Sequence, residues 1–489
     1  MTKESPLIRD WVTYLPTSIV PAILSLGAVA VFTRVFPPKI YGIYSLAVAI
    51  VGPVISVVSQ PTAQALGRFH YEYAQSNRLP IYRDTARRMV TFTLFILFFL
   101  ECATMLLIGK LWDTLPILVG SSLVFIPIQT IIATVEPILP ATFQSDSYRN
   151  FRLVTAILGV LIPISLVVVF GAHIGFLILG STVTSAALLP WLVKRSGMWE
   201  LTKDLNPLAN PEIQHTIARF ARYGLPFTLW FLSASLLSVG DRYILEWLRG
   251  PSAVGIYNVN YSLAQQSLAM LSGPFITAIW PRIMKVWTTN GRVAAQTLIS
   301  HLTTVYWIFG SAIVGLLFLV HRPLMSILVG SRYVNGSIIV GPVAIGVLIW
   351  GTSIIGHKTV ELTEQNMLMI IDAMIAAAVN LGLNIPLVIH FGLMGAAIST
   401  MVAYSIYTGL IWIQSQSRLP WHISFWRLGY IVLASLLASA GALLSTLAFR
   451  QPLLILLFRP LVFLLIYGAL IYIKIGSPIA YLDPKGDHP

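Results

Sequence analysis

The sequence predicts an all-α polytopic membrane protein: about fourteen transmembrane helices, in two pseudo-symmetric six-helix lobes with two extra C-terminal helices. Three observations predict it. Of 489 residues, 56% are hydrophobic and 10% charged, whereas a water-soluble domain needs roughly 25% charged residues to cover its surface. The apolar residues gather into runs of about 20, the length that carries a helix across a bilayer. Finally, a hydrophobic hairpin near the start recurs midway along the chain.

The first copy of that hairpin turns at Val31-Phe-Thr-Arg34-Val-Phe-Pro-Pro-Lys-Ile-Tyr-Gly42-Ile-Tyr44. The second turns at Val239-Gly-Asp241-Arg242, continuing through Gly-Pro251-Ser-Ala-Val-Gly255-Ile-Tyr257. One constant shift carries Gly42-Ile43-Tyr44 onto Gly255-Ile256-Tyr257 and Pro61 onto Pro274. Internal duplication in a membrane protein points to a transporter of two lobes around a central path. The repeat divides the chain into an N-terminal lobe at 1–200 (spans 1–6), a C-terminal lobe at 201–420 (spans 7–12), and spans 13–14 with a tail at 421–489.

Taken in order, span 1 runs from about Tyr14 to Arg34. It is too long for a signal peptide and lacks a small-residue cleavage site, so it reads as an uncleaved span. Its Pro16 and Pro21 are tolerable where neighbours satisfy the freed carbonyls. Span 2 carries Ser56, Gln60, Gln64 and Arg68 at four-residue steps, which places them on one helical face. In lipid such a face must turn toward protein or water. Spans 3 and 4 hold Glu101 and Glu136, and spans 5 and 6 form a tight hairpin at Gly171-Ala-His173. Lys194–Arg222 is the longest polar stretch and the natural lobe boundary; its Glu212–Tyr223 has the pattern of an amphipathic surface helix. Span 7 ends in Ser238, Asp241 and Arg242. Span 8 repeats the polar stripe with Asn258, Ser262, Gln265 and Ser272, and Arg282 follows it. Span 11 holds Asp372, Asn380 and Asn384. Trp11, Tyr14, Trp112, Trp191, Trp247 and Trp426 at run ends suit interfacial belts.

The net charge of +13 invites a nucleic-acid reading, but most of the 31 Lys and Arg fall in the segments that an inside N-terminus makes cytoplasmic. That is the positive-inside bias, and it places both termini in the cytoplasm. The chain is thus read as binding no nucleic acid. Cys102 is the sole cysteine, which rules out a disulfide within the chain. No Gly-x4-Gly-Lys-Ser/Thr, His-Glu-x-x-His, Gly-x-Ser-x-Gly or Cys-x-x-Cys motif occurs. No catalytic residue, metal ligand or cofactor is expected, and the extramembrane loops are short for a polymerase or sugar transferase.

The Pro-x-x-Tyr-Gly-x-Tyr turn between helices, the span 7 ending Asp241-Arg242-Tyr-Ile-Leu, and the span 11–12 run Asn380-Leu-Gly-Leu-Asn384 through Gly392-Leu-Met-Gly395-Ala-Ala-Ile-Ser-Thr400 resemble one family. It is the oligosaccharide flippases of the multidrug/oligosaccharidyl-lipid/polysaccharide exporter superfamily, and the resemblance covers about residues 10–475. It implies a two-lobed cavity, alternating access, and an undecaprenyl-pyrophosphate-linked oligosaccharide repeat unit as cargo, translocated across the bacterial inner membrane for surface polysaccharide synthesis. A polysaccharide polymerase and chain-length proteins would be partners, beside membrane lipids. In fourteen-span relatives the last helix pair can form a lipid-tail groove, here 428–475. A small-molecule exporter of the same superfamily and a lipid II flippase are the alternatives.

Such a cargo needs cations for its pyrophosphate and a polar surface for its sugars. Arginine's planar fork suits the first. Arg34, Arg68, Arg242 and Arg282 are the candidates; equally, Arg34 snorkels to headgroups, Arg242 pairs with Asp241, and Arg68 and Arg282 report topology. Gln60, Gln64, Asn258 and Gln265 either bind sugar hydroxyls or join helices. Glu136 and Asp372, carboxylates at membrane depth, mark an ion-coupling site or a buried partner. The membrane potential alone supplies roughly 2.3 kcal/mol per charge per 100 mV for anion export.

Overall fold

A computed structural model describes residues 6–107, 116–142, 144–198, 211–363, 365–422, 424–447 and 451–476. Among the described residues the regular structure is helical throughout. The first eight described helices are α1 (Pro6–Val35), α2 (Pro38–Gln75), α3 (Leu79–Leu107), α4 (Pro116–Val135), α5 (Ile138–Ala141), α6 (Ser145–Phe170), α7 (Gly175–Arg195) and α8 (Pro211–Arg249). Then come α9 (Pro251–Leu328), a 3-10 segment (Ser331–Ile339), α10 (Val340–Glu361), α11 (Asn366–Phe391), α12 (Leu393–Gln416), α13 (Phe425–Ser445) and α14 (Pro452–Ile475).

Twelve described segments are long and apolar enough to cross a membrane. The 29-residue α3 and the part of α9 before Gly291 have the length a pass needs but are not among the twelve, against about fourteen spans expected from the sequence. The α9 helix is two helices in one: Gly291 at φ 83° interrupts it, a backbone geometry glycine adopts without a Cβ clash. The closely spaced runs near 162 and 183 are separate helices, α6 and α7, parted at Gly171. Proline opens α2, α4, α8, α9 and α14, where its missing N–H costs nothing.

One expectation fails. Glu212–Tyr223 is not a separate surface helix but the first turns of α8, which continues unbroken to Arg249. Its apolar side, Ile213 and Phe220, is buried against protein. Trp112 and residues 199–210 lie outside the described residues, as do the side chains of Trp11 and Tyr14. Trp247 and Trp426 are exposed, at 70% and 79%, as belt residues would be.

The chain groups into two compact units, Met1–Gly42 with Gly240–Pro489, and Ile43–Val239. Compactness and internal repetition are different criteria, and the lobes read from the repeat divide the chain elsewhere.

The Ile43–Val239 unit is held by a core of Leu66, Phe69 and Tyr73 from α2, Tyr82 from α3, Ile132 and Val135 from α4, and Phe220 from α8. Phe69 stacks on Phe220 at 5.0 Å. The Glu72 carboxylate accepts both Nη groups of Arg219, at 2.6 and 2.9 Å. The two helices approach so closely that a Cβ on Gly224 would lie 2.0 Å from the Pro61 carbonyl oxygen.

In the other unit α1 runs beside α9; a Cβ on Gly273 would lie 2.8 Å from Ser18 Oγ. At the far end Tyr333 donates to the Phe36 carbonyl at 2.8 Å. Here the two copies of the repeated turn meet each other. A Cβ on Gly42 would lie 1.8 Å from the Pro251 carbonyl oxygen, and a Cβ on Gly255 2.1 Å from that of Pro38. The repeat therefore encodes a reciprocal contact as well as a repeated hairpin. The α13–α14 pair packs on the second half of α9 through Ile308, Leu319, Ala434, Ala438, Phe463 and Tyr467. Tyr467 donates to the Ile308 carbonyl at 2.8 Å.

Candidate functional site

A buried polar cluster forms in the last turns of α8. Asp241, at 0% exposure, and Arg242, at 6%, sit nine and eight residues before the turn at Gly250. That turn sends α9 back alongside α8, and brings Tyr257 and Asn258 to the acid and the arginine. Tyr257 donates to Asp241 Oδ2 at 2.6 Å. Arg242 Nη1 donates to Asp241 Oδ1 at 3.2 Å, and its Nε donates to Asn258 Oδ1 at 2.9 Å. The guanidinium lies 4.9 Å from the centre of the Tyr261 ring, a cation–π arrangement. From α12, Thr400 donates to Asp241 Oδ2 at 3.4 Å, and Tyr404 shares a 3.4 Å hydroxyl contact with Tyr261. Asn380 and Asn384 of α11 extend the network: Ser399 donates to the Asn380 carbonyl at 2.9 Å, and Asn384 Nδ2 to Asn380 Oδ1 at 3.4 Å.

A buried ion pair is tolerable only when its remaining donors and acceptors are also satisfied. The tyrosines, Asn258 and Thr400 provide that here. The cluster thus locks α8, α9, α11 and α12 together and keeps a fixed charge distribution deep in the bundle.

The other expected residues are dispersed. Arg34 is exposed and caps the end of α9, with Nη1 donating to the Ala30 and Leu328 carbonyls at 2.6 and 2.8 Å and Nη2 to Ile327 at 2.7 Å. The Ile327 and Leu328 carbonyls are among the last acceptors of α9, which lack an intrahelical partner and where a cation is favourable. Arg34→Ala is expected to fray the last turn of α9, at a cost of about 1.5–3 kcal/mol for losing charged hydrogen bonds; hydrogen exchange of residues 322–330 would report it, and unchanged protection would refute it. Gln265 is exposed and Arg282 half-buried. The stripe's helical neighbour Gln266 is the one that reaches α1, donating to Ser25 at 3.4 Å.

In the Ile43–Val239 unit, Gln64 donates to Gln60 at 3.0 Å, so the α2 stripe is partly self-paired. Arg68 is exposed, with its guanidinium 5.7 Å from the Phe69 ring centre. Glu136 is ion-paired with Arg152 of α6, the buried-partner alternative. Asp372 accepts from Gln414 of α12 at 2.7 Å.

Sequence reasoning missed Tyr261, Tyr404 and Gln414. The i, i+4 spacing of Tyr257 and Tyr261 was a usable signal, since it puts both rings on the α9 face that Asp241 and Arg242 meet.

A second feature is an apolar cleft of about 380 Å³ walled by α9, α10 and α13, among them Trp307, Phe318, Ile345, Leu348, Leu436 and Leu443. Its hydroxyl lining is limited to Ser311, Ser435 and Ser439. Pockets of this size take drug-sized or chain-like apolar groups.

A family model described as polysaccharide biosynthesis protein matches residues 7–287, more than half of the chain. A putative O-antigen transporter of Escherichia coli is 29% identical over 199 residues, which is 40% of this chain and 47% of that protein. A probable low-salt glycan biosynthesis flippase of Haloferax volcanii is 22% identical over 277 residues, 55% of this chain and 57% of that protein. The chain spans about half the length of the curated relatives it matches. Among solved structures, a lipid II flippase MurJ in an inward closed conformation superposes with a TM-score of 0.73 at 14% identity, over 96% of this chain and 100% of that one. An inward-facing MATE family transporter of the MOP superfamily gives 0.59 at 13% identity, over 83% and 98%. At these identities the likeness is one of fold.

Proposed function

Because the chain belongs to the polysaccharide biosynthesis protein family, we propose that it is a flippase, carrying undecaprenyl-pyrophosphate-linked oligosaccharide repeat units outward across a bacterial inner membrane by alternating access. The relatives named above are transporters and flippases rather than enzymes, and we read this chain as a non-enzyme with both termini cytoplasmic. The lobes at 1–200 and 201–420 are the repeated halves of that machine, and 421–489 supplies the added helix pair.

The observation that carries the cargo reading is the cleft beside α13. A prenyl chain is a long apolar group that already lies in lipid, so it gains from such walls by van der Waals packing and fit of shape. The cleft's walls are Trp307, Phe318, Leu348, Leu436 and Leu443, with three small serines where bulk would close it. The arginine and amide candidates then divide by chemistry. Arg68 and Arg282 are the phosphate-binding candidates, and Gln60, Gln64 and Gln265 the sugar-binding ones. Asp241, Arg242 and Asn258 are committed to each other, so in this reading they act by shaping the site. Arg34 acts by holding α9.

The test uses cells lacking the chain, complemented with wild type or with Ser439→Trp. Ser439→Trp fills the cleft without touching the Asp241 cluster. It is expected to lower surface polysaccharide at least tenfold with membrane protein levels intact, and lipid-linked oligosaccharide is expected to accumulate on the cytoplasmic leaflet. Normal export by Ser439→Trp would remove the cleft from the reading. Sensitivity to cationic drugs with normal polysaccharide would replace the reading by a small-molecule exporter.

A further inference from the structure

Several arginines set into this chain have an acid beside them. Arg152, Arg219 and Arg242 meet the carboxylates of Glu136, Glu72 and Asp241. Arg459 of α14 does not. It lies seven residues past Pro452, where α14 begins, which is about 10 Å along a helix at 1.5 Å per residue. The side chain is half-buried. Its Nε donates to Thr446 Oγ1 at 2.9 Å and its Nη1 to the Leu319 carbonyl at 3.1 Å, and both partners are neutral. Here α14 packs on α9 and α13. None of the three helices contains an Asp or a Glu.

A guanidinium keeps its charge and carries five N–H donors. Among the described residues, Nη2 of Arg459 donates to no protein group. A charge at membrane depth needs a partner, and no carboxylate of these helices supplies one. The two bonds it does make pin the planar fork between α9 and α13, at one end of the apolar cleft. Leu319 is itself a cleft wall, and Leu443, another wall, stands three residues before Thr446.

We propose that Arg459 is an anion site at the outer end of the cleft, holding the phosphate of a single-chain prenyl lipid that has reached the outer leaflet and whose tail lies in the cleft. The inference rests on the transport reading above, and adds to it the headgroup ligand and the leaflet. With both termini cytoplasmic, as in that reading, α13 ends and α14 begins on the outer side. The cleft residues of α13, from Val432 to Leu443, lead toward that end. A lipid in the inner leaflet would hold its phosphate at the opposite surface, with most of the hydrocarbon thickness between it and Arg459. The cation selects an anionic head, and the single cleft of about 380 Å³ offers a place for one chain. Arg322, exposed one turn beyond Leu319 on α9, brings a second positive charge to the same end, which suits a diphosphate.

Binding to the purified full-length protein is measured with undecaprenyl phosphate, undecaprenol and phosphatidylglycerol in one detergent. Wild type is expected to bind the phosphate at least tenfold more tightly than the alcohol, which has the same tail and no charge. Arg459→Gln is expected to abolish that preference and leave binding of the alcohol as it was, which also reports that the variant is folded. Arg459→Lys keeps the charge without the fork and is expected to lose at least threefold of the preference; it decides the matter if Arg459→Gln does not fold. No preference in wild type, or a full preference in the variants, overturns the anion site. Phosphatidylglycerol bound as tightly as undecaprenyl phosphate would make Arg459 an anchor for bulk lipid and overturns the choice of occupant. The leaflet is read from Leu447→Cys in a Cys102→Ser background, Leu447 being exposed next to Thr446. Labelling of intact spheroplasts by a membrane-impermeant maleimide supports the outer side, and labelling only after lysis overturns it. Failure of the cargo reading would show instead as normal polysaccharide export without the chain, whatever the lipid measurements give.

Discussion

Asp241→Ala is expected to destabilise the protein by about 3–5 kcal/mol, the cost of leaving one partner of a buried ion pair alone. The alanine would strand the Arg242 guanidinium, 6% exposed, with the Asn258 carbonyl and the face of Tyr261 as its remaining described contacts from the cluster. Tyr257 would lose its 2.6 Å acceptor in the same step. Removing both charges is the informative comparison. In Asp241→Ala with Arg242→Leu no bare charge remains, and apolar replacement of a buried pair is often neutral or stabilising. The double variant is therefore expected to be more stable than Asp241→Ala alone, the reverse of additivity. Thermal unfolding of the purified variants in detergent measures this. If the double variant melts below the single one, the pair is not what holds this corner together. Arg242→Lys should recover only part of the loss, because lysine lacks the fork that reaches Asp241 and Asn258 at once.

Much of this architecture was legible in the residues, for a physical reason. In a bilayer a helical pass must satisfy its own backbone hydrogen bonds over the apolar thickness, so composition and run length carry most of the pattern of passes. The partner of each polar group is another matter. Arg34 and Arg242 both lie toward the end of the first helix of a repeat, yet one is exposed on the α9 terminus and the other buried in an ion pair. The difference comes from Leu328 and Ile327, far along the chain, and from the Asp241 that precedes Arg242 where Arg34 follows Thr33. Glu212–Tyr223 has the pattern of a membrane-surface helix because one of its sides is apolar. That side instead meets Phe69 and Tyr73 of α2, and amphipathicity alone does not say whether lipid or protein covers a helix. The cleft was legible only as the small residues Ser435 and Ser439 spaced four apart on α13; its walls come from α9 and α10 as well.

The repeated glycines give the other large effect. Gly255→Ala is expected to cost about 1–3 kcal/mol, the range for forced overpacking, although alanine in a helix is otherwise favoured over glycine by about 1 kcal/mol. The new Cβ would sit 2.1 Å from the Pro38 carbonyl oxygen and 3.0 Å from the Gly42 nitrogen. Both are backbone atoms, so no side chain can swing away and the two helix starts must separate. Gly42→Ala meets the mirror obstacle, 1.8 Å from the Pro251 oxygen. Because each substitution pushes apart the same pair of backbones, the second should cost less once the first has been made. The double variant is then expected to lose less than the sum of the singles, as for sites that share one backbone shift. Gly27→Ala is the control: its Cβ would meet nothing within 4 Å, and helix propensity alone should leave it neutral or slightly stabilising. Melting temperatures of the four variants in one detergent decide the matter. Equal behaviour of Gly255→Ala and Gly27→Ala would mean that the two turns do not touch in the protein, and the repeat would then be a trace of duplication with no contact to maintain it.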